Sequence, residues 1–195
     1  MKLKAASIAL ALAATFTVSQ SRVQALDWRF PLGITYASGI KDVLDAMDAN
    51  HRFDDTFNWP VGLSLHPYVE FDFGLGLGAS VGPISLYMVD TVFDTSVSYI
   101  VPLGLDARYT FLRDTNVSPY VRAGFRYNVA GGDFLNQGDP GFLGAVGVEF
   151  LRRKAVSLGV EFAYDSSTVE VAAGRFGGQT SVKPSKFMIG VYAVF

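Results

Sequence analysis

Two histidines, His51 and His66, are the side chains of this sequence best suited to proton transfer near neutral pH. A hydrolytic site would pair one of them with a serine and an acid. His51 could share a face with Asp90, Asp94, Ser96, Ser166 and Ser167, but no nucleophile motif surrounds any of these serines. Asp42, Asp45 and Asp48 repeat at a spacing that gathers carboxylates on one side of a helix. That arrangement could hold a divalent cation, but a solvated acidic face is the expected reading. Cysteine is absent, which excludes a disulfide framework, a thiolate metal site and a thiol nucleophile. The sequence therefore predicts neither catalysis nor a cofactor or metal.

A larger set of polar chemistry is spread along the chain. Arg29, Arg108, Arg122, Arg126 and Lys186 stand against Asp72, Asp106, Glu149, Glu161 and Asp165, five of each sign. Eight of the ten are flanked on both sides by apolar residues, and Asp165 and Lys186 on one side, so the elements that carry these charges are strands. Phe57, Trp59, Val61, Leu63 and Leu65 alternate with polar or small residues, and a turn is expected at His66-Pro67-Tyr68. Phe71 to Val81, Val97 to Phe111, Val121 to Val129, Phe142 to Phe150 and Val156 to Tyr164 repeat the pattern. Trp28 to Tyr36 opens the series, and Phe187, Ile189, Val191, Ala193 and Phe195 close it on one wholly apolar face. The count is eight, and an even number returns both ends to one side.

Connections alternate in length. Short ones surround Pro67-Tyr68, residues 114–118 and residues 152–154; long ones cover 37–56, 82–96, 130–141 and 166–185. The other face of the strands decides which side is inside. Lys186 is the lone lysine on the strands beyond the leader, and Gly, Ser and Ala fill most of the non-apolar positions. Small residues suit the crowded interior of an eight-stranded barrel, and a balanced set of charges there implies an ion-pair network in the lumen. A polar conduit is the functional alternative. Aromatic rings gather near both strand ends, as they do where amphipathic rings meet lipid headgroups. The fold class predicted is all-β: an eight-stranded antiparallel up-and-down transmembrane β-barrel with a short helix in the first outer loop.

Residues 1–25 read as a secretory signal peptide: basic Lys2 and Lys4, an uncharged apolar run from Ala5 to Val18, and Val23-Gln24-Ala25 as cleavage site. Residues 26–195 form one barrel domain. Half of the chain is hydrophobic and only 17% is charged. Without Lys2, Lys4 and Arg22, 13 basic residues face 18 acidic ones, a formal charge of −5, and nucleic acid is not expected as a partner.

The leader, the eight alternating segments, the long–short loop alternation and the closing strand with its terminal Phe195 resemble small bacterial outer-membrane barrels. The plan is similar to the outer membrane protein A transmembrane domain and to the OmpX and OmpW families. The resemblance covers residues 27–195 as architecture and matches no single characterised member residue by residue. It implies an outer-membrane location with periplasmic termini. It also implies outer-membrane lipid and lipopolysaccharide as surroundings, and the barrel-assembly machinery as a transient partner reading Phe187 to Phe195. Neither histidine lies in a pattern of the lipid A deacylase or palmitoyltransferase families, so lipid A modification ranks last.

In the first long loop Ile40, Val43, Leu44 and Met47 recur at helical spacing, with Ser38 as the expected N-cap. The second is unusually apolar, with Leu86, Tyr87, Val92 and Phe93. The two are expected to pack together, as a lid or as a vestibule for a small hydrophobic molecule. A structural or surface-interaction role is expected first, and binding or passage of such a molecule second.

Overall fold

The computed structural model describes residues 26–53, 55–59, 61–90 and 95–195. The proposed signal peptide, Val92, Phe93 and Asp94 lie outside them. In chain order the elements are β1 (Asp27–Arg29), β2 (Pro31–Ala37), α1 (Ile40–His51), β3 (Asp55–Asn58), β4 (Val61–Leu65), β5 (Tyr68–Glu70), β6 (Leu75–Val81) and β7 (Ser85–Asp90). There follow β8 (Thr95–Thr110), β9 (Val117–Gly131), β10 (Leu135–Gln137), β11 (Gly141–Phe150), β12 (Ser157–Asp165), β13 (Val169–Val171), β14 (Thr180–Val182) and β15 (Phe187–Val194).

Eight walls make a closed antiparallel barrel. β1 with β2, then β3 to β5, then β6 with β7 are the first three; β8, β9, β11, β12 and β15 complete the ring. Closure runs through β15 and β2, where Ile189 faces Tyr36 and Val191 faces Ile34. The Phe30 amide donates to the Phe195 carbonyl at 3.0 Å, which ties the final residue to the first wall. Phe187, Ile189, Val191 and Phe195 point outward, as do Leu63, Leu77, Leu105, Val146 and Val160. Each pleat thus gives one side chain to the outer surface and the next to the lumen.

Two expectations about the second and third walls are corrected. The turn is not at Pro67-Tyr68. Ser64, His66, Tyr68 and Glu70 are all buried, so the inward parity runs through Pro67 without a break. The Pro67 carbonyl still accepts from Ala79 at 3.0 Å, so the ladder continues past the missing amide. The chain reverses at Phe71 to Gly74, where Gly74 has φ of 93° and a Cβ would lie 2.6 Å from the Thr110 carbonyl. Residues 82–96 are not an open loop either. β7 pairs with β8 from Ser85↔Ile100 to Asp90↔Thr95, and the bulge at Gly82 to Ile84 shifts the inward side chains from even to odd numbers. Tyr87 and Val89 therefore enter the lumen, while Leu86, 54% exposed, faces outward and lines no vestibule.

α1 lies across the end of the barrel that carries the long connections, and Ile40, Val43 and Met47 are buried. Its N-cap is Gly39, without a side-chain bond. The Ser38 hydroxyl instead accepts from the Phe187 amide at 3.2 Å, which fastens the helix entry to the last wall. Beside it β10, β13 and β14 pair into a small antiparallel sheet, built from two segments with no alternation long enough to announce strands.

Candidate functional site: a charged lumen beneath an apolar plug

Glu149 is the centre of the lumen at the short-turn end. Fully buried on β11, it accepts from Arg29, from Arg108 Nη2 at 2.7 Å, from Arg152 Nη1 at 2.7 Å and from Ser157 Oγ at 2.6 Å. Arg152 also binds Glu70, which is itself fully buried. Three guanidiniums around one carboxylate need a second anion, and Glu70 supplies it. Arg108 lies between two rings, with its guanidinium carbon 3.5 Å from the Tyr120 centroid and 4.9 Å from that of Tyr68.

The next layer is built on Arg122. Its Nε donates to Glu161 at 3.1 Å, its Nη2 binds the other oxygen of the same carboxylate, and its Nη1 reaches Asp106 at 3.0 Å. The Tyr120 hydroxyl donates to Glu161 at 3.1 Å. A planar fork engaging two acids is geometry that lysine cannot reproduce. Beside it the Tyr192 hydroxyl and Thr35 share a hydrogen bond at 2.9 Å, and Ser64 donates to Thr35 at 3.0 Å. Higher still, Arg126 Nη1 donates to the Gly82 carbonyl at 2.7 Å, and Asp165 accepts from the amide and hydroxyl of Ser167 at 2.8 and 2.7 Å.

The lumen cavity between Tyr68, Arg122 and Tyr192 measures about 20 Å³, room for roughly one water. Above it, between Thr35, His66, Arg126 and Met188, the space for water falls to about 0 Å³. Then the lining changes character. Ile40, Val43 and Met47 of α1 join Tyr87, Val89, Ile100, Leu143, Val169, Val171 and Met188 in one buried apolar cluster, with Leu44 packed against its edge.

Eight of the ten expected lumen charges face this interior: Arg29, Asp106, Arg108, Arg122, Arg126, Glu149, Glu161 and Asp165. Two do not. Asp72 sits in the first turn, 51% exposed, and pairs with Arg113 at 3.5 Å. Lys186 is exposed, with its Nζ 5.8 Å from the centroid of the outward Phe187 ring. Glu70 and Arg152 take their places, so the interior still holds five arginines and five carboxylates. Among the described residues Arg29, Arg108, Arg122 and Arg152 are ion-paired, whereas Arg126 and Asp165 bond the Gly82 carbonyl and Ser167 instead. Glu70 was hidden by the misplaced turn, two residues from Asp72 on the same parity. Arg152 lies in a turn and folds back inward. Phe111 to Ser118 and Phe150 to Ser157 share the pattern F-L-R-x-x-x-V-S, but Arg113, the equivalent arginine, pairs with exposed Asp72, so the pattern alone does not send Arg152 inward. Both turns hold the leucine at positive φ, 50° at Leu112 and 59° at Leu151. Burial opposes the charge of Arg152, but Glu149 and Glu70 outweigh it and raise the guanidinium above its ordinary pKa.

The histidines are engaged in packing. His66 lies 4.9 Å from the Tyr192 ring inside the lumen; His51 stacks on Phe53 at 5.9 Å and meets Phe134 at a tilt at 4.7 Å, and its Nε2 is 3.3 Å from the Ala172 carbonyl. Asp42, Asp45 and Asp48 are exposed along α1, with Asp45 3.9 Å from Lys41.

A model of the outer membrane protein beta-barrel domain matches residues 8–195. The chain belongs to the outer membrane protein beta-barrel domain family. Among solved structures it is similar to the outer membrane protein OprG from Pseudomonas aeruginosa, at 13% identity and a TM-score of 0.58, over 88% of this chain and 97% of that one. It is also similar to Neisserial surface protein A, NspA, at 15% identity and a TM-score of 0.44, over 87% and 96% of the respective chains. None of the curated proteins matches it in sequence. Membership of an outer-membrane family gives the two faces their solvents: lipid meets the wall, and the lumen must satisfy its own charges.

Proposed function

We propose that this outer-membrane barrel is closed and non-conducting, with a structural role in the membrane and a surface-presenting role for its plugged end. The filled lumen carries the reading. Ion pairs fill one half, leaving a cavity of about 20 Å³ among them, and α1 with the residues beneath it fills the other. In this reading both termini are periplasmic, and α1 with the β10–β13–β14 sheet faces the outside. Passage of a small hydrophobic molecule would require α1 to leave the barrel mouth and expose Ile40, Val43 and Met47, all buried.

Liposome swelling tests the reading. Vesicles carrying the folded protein should swell in isotonic arabinose no faster than protein-free vesicles. Swelling that scales with protein content would refute closure.

A further inference from the structure

We propose a binding site for a phosphorylated glycolipid, the lipid A of the outer leaflet, on the outer wall where β12 meets β15. It rests on the orientation proposed above, because the site must lie in the leaflet that carries this lipid. Beyond residue 25 the chain has four lysines, and two of them, Lys183 and Lys186, lean on one ring pair. Lys183 Nζ donates to the Tyr164 hydroxyl at 3.5 Å, and Lys186 Nζ lies 5.8 Å from the Phe187 centroid. The two rings are 5.5 Å apart. Among the described residues, the lysine with a carboxylate at ion-pair distance is Lys41, not either of these.

Directly towards the membrane the surface turns apolar. Phe187 stacks on Phe162 at 6.2 Å, and Ile189 and Tyr36 continue the exposed strip on β15 and β2. The site is therefore a pair of unneutralised ammonium groups on the rim of an acyl-chain bed. Ammonium groups held by a tyrosine hydroxyl and beside an outward aromatic ring sit at the headgroup level, where compact charge favours phosphate. A lipid with phosphates on its sugar headgroup and several chains fits both parts. Phosphatidylglycerol has one phosphate and two chains and fills less of either.

Native mass spectrometry of the folded barrel in detergent micelles, with bisphosphorylated lipid A as probe, tests the site. Wild type should retain a lipid A adduct. The double substitution Lys183→Ala and Lys186→Ala should weaken it about 30-fold, the product of two lysine–anion contacts. Lys41→Ala should leave it within twofold, and phosphatidylglycerol should bind far more weakly than lipid A. Equal binding by the double variant, or phosphatidylglycerol binding as tightly as lipid A, would overturn the proposal. Retained heat-modifiable migration on gels shows that each variant is folded. Loss of the lipid site with silent liposomes leaves the closed-barrel reading intact, whereas swelling liposomes sink that reading whatever the lipid result.

Discussion

Glu149 and Arg152 hold opposite kinds of information about this sequence. Glu149 sits in an unbroken alternation, and its inward direction could be read from its neighbours. Arg152 sits in a turn, where period two says nothing, and it enters the lumen because Glu149 and Glu70 draw it there. The same limit misplaced Lys186, one residue before β15, where a strand end lets a long side chain leave the lumen and cover an outward ring. Removing an anion from the buried set is expected to be costly, since it leaves uncompensated charge. Glu149→Ala should destabilise the barrel by about 3–5 kcal/mol in urea unfolding from lipid vesicles. Asp72→Asn breaks only a half-exposed pair and should shift stability by less than about 1 kcal/mol. Equal effects from the two would show that burial does not set the energetics of these charges.

At the scale of elements, the long regular strands were legible and their interruptions were not. β8, β9, β11, β12 and β15 follow from alternation because every pleat separates lipid from lumen. The second and third walls each carry an irregularity. Pro67 leaves the parity untouched, whereas the Gly82–Ile84 bulge inverts it, and proline in a strand reads alike in both cases. α1 was announced by helical spacing, but its clamp was not. Asn50 donates to the Ala172 carbonyl at 3.1 Å and the Gly178 carbonyl at 3.0 Å, joining the helix end to the distant last connection. Asn50→Ala should loosen that end, and trypsin should then cleave at Arg175 faster than in wild type while the barrel stays heat-modifiable. An unchanged digestion pattern would mean that apolar burial alone holds the helix.

For the whole molecule, the lumen is neither charged throughout nor open beneath the loops. It is divided into a polar half built on layers of ion pairs and an apolar half filled by α1. In the closed-barrel reading proposed above each half would block the lumen by itself, because the ion-pair layers of Glu149 and Arg122 lie apart from the plug. That division was out of reach of the sequence, which showed which residues face inward but not at what height each is met by a partner. Eight strands leave little room to begin with, and here two chemistries occupy it. The most direct test is single-channel recording in planar bilayers of the folded protein and of a variant in which residues 40–51 are replaced by a short Gly-Ser linker. Neither protein should show sustained conductance. Steady conductance from wild type, or from the variant with the charged layers intact, would contradict the closed-barrel reading.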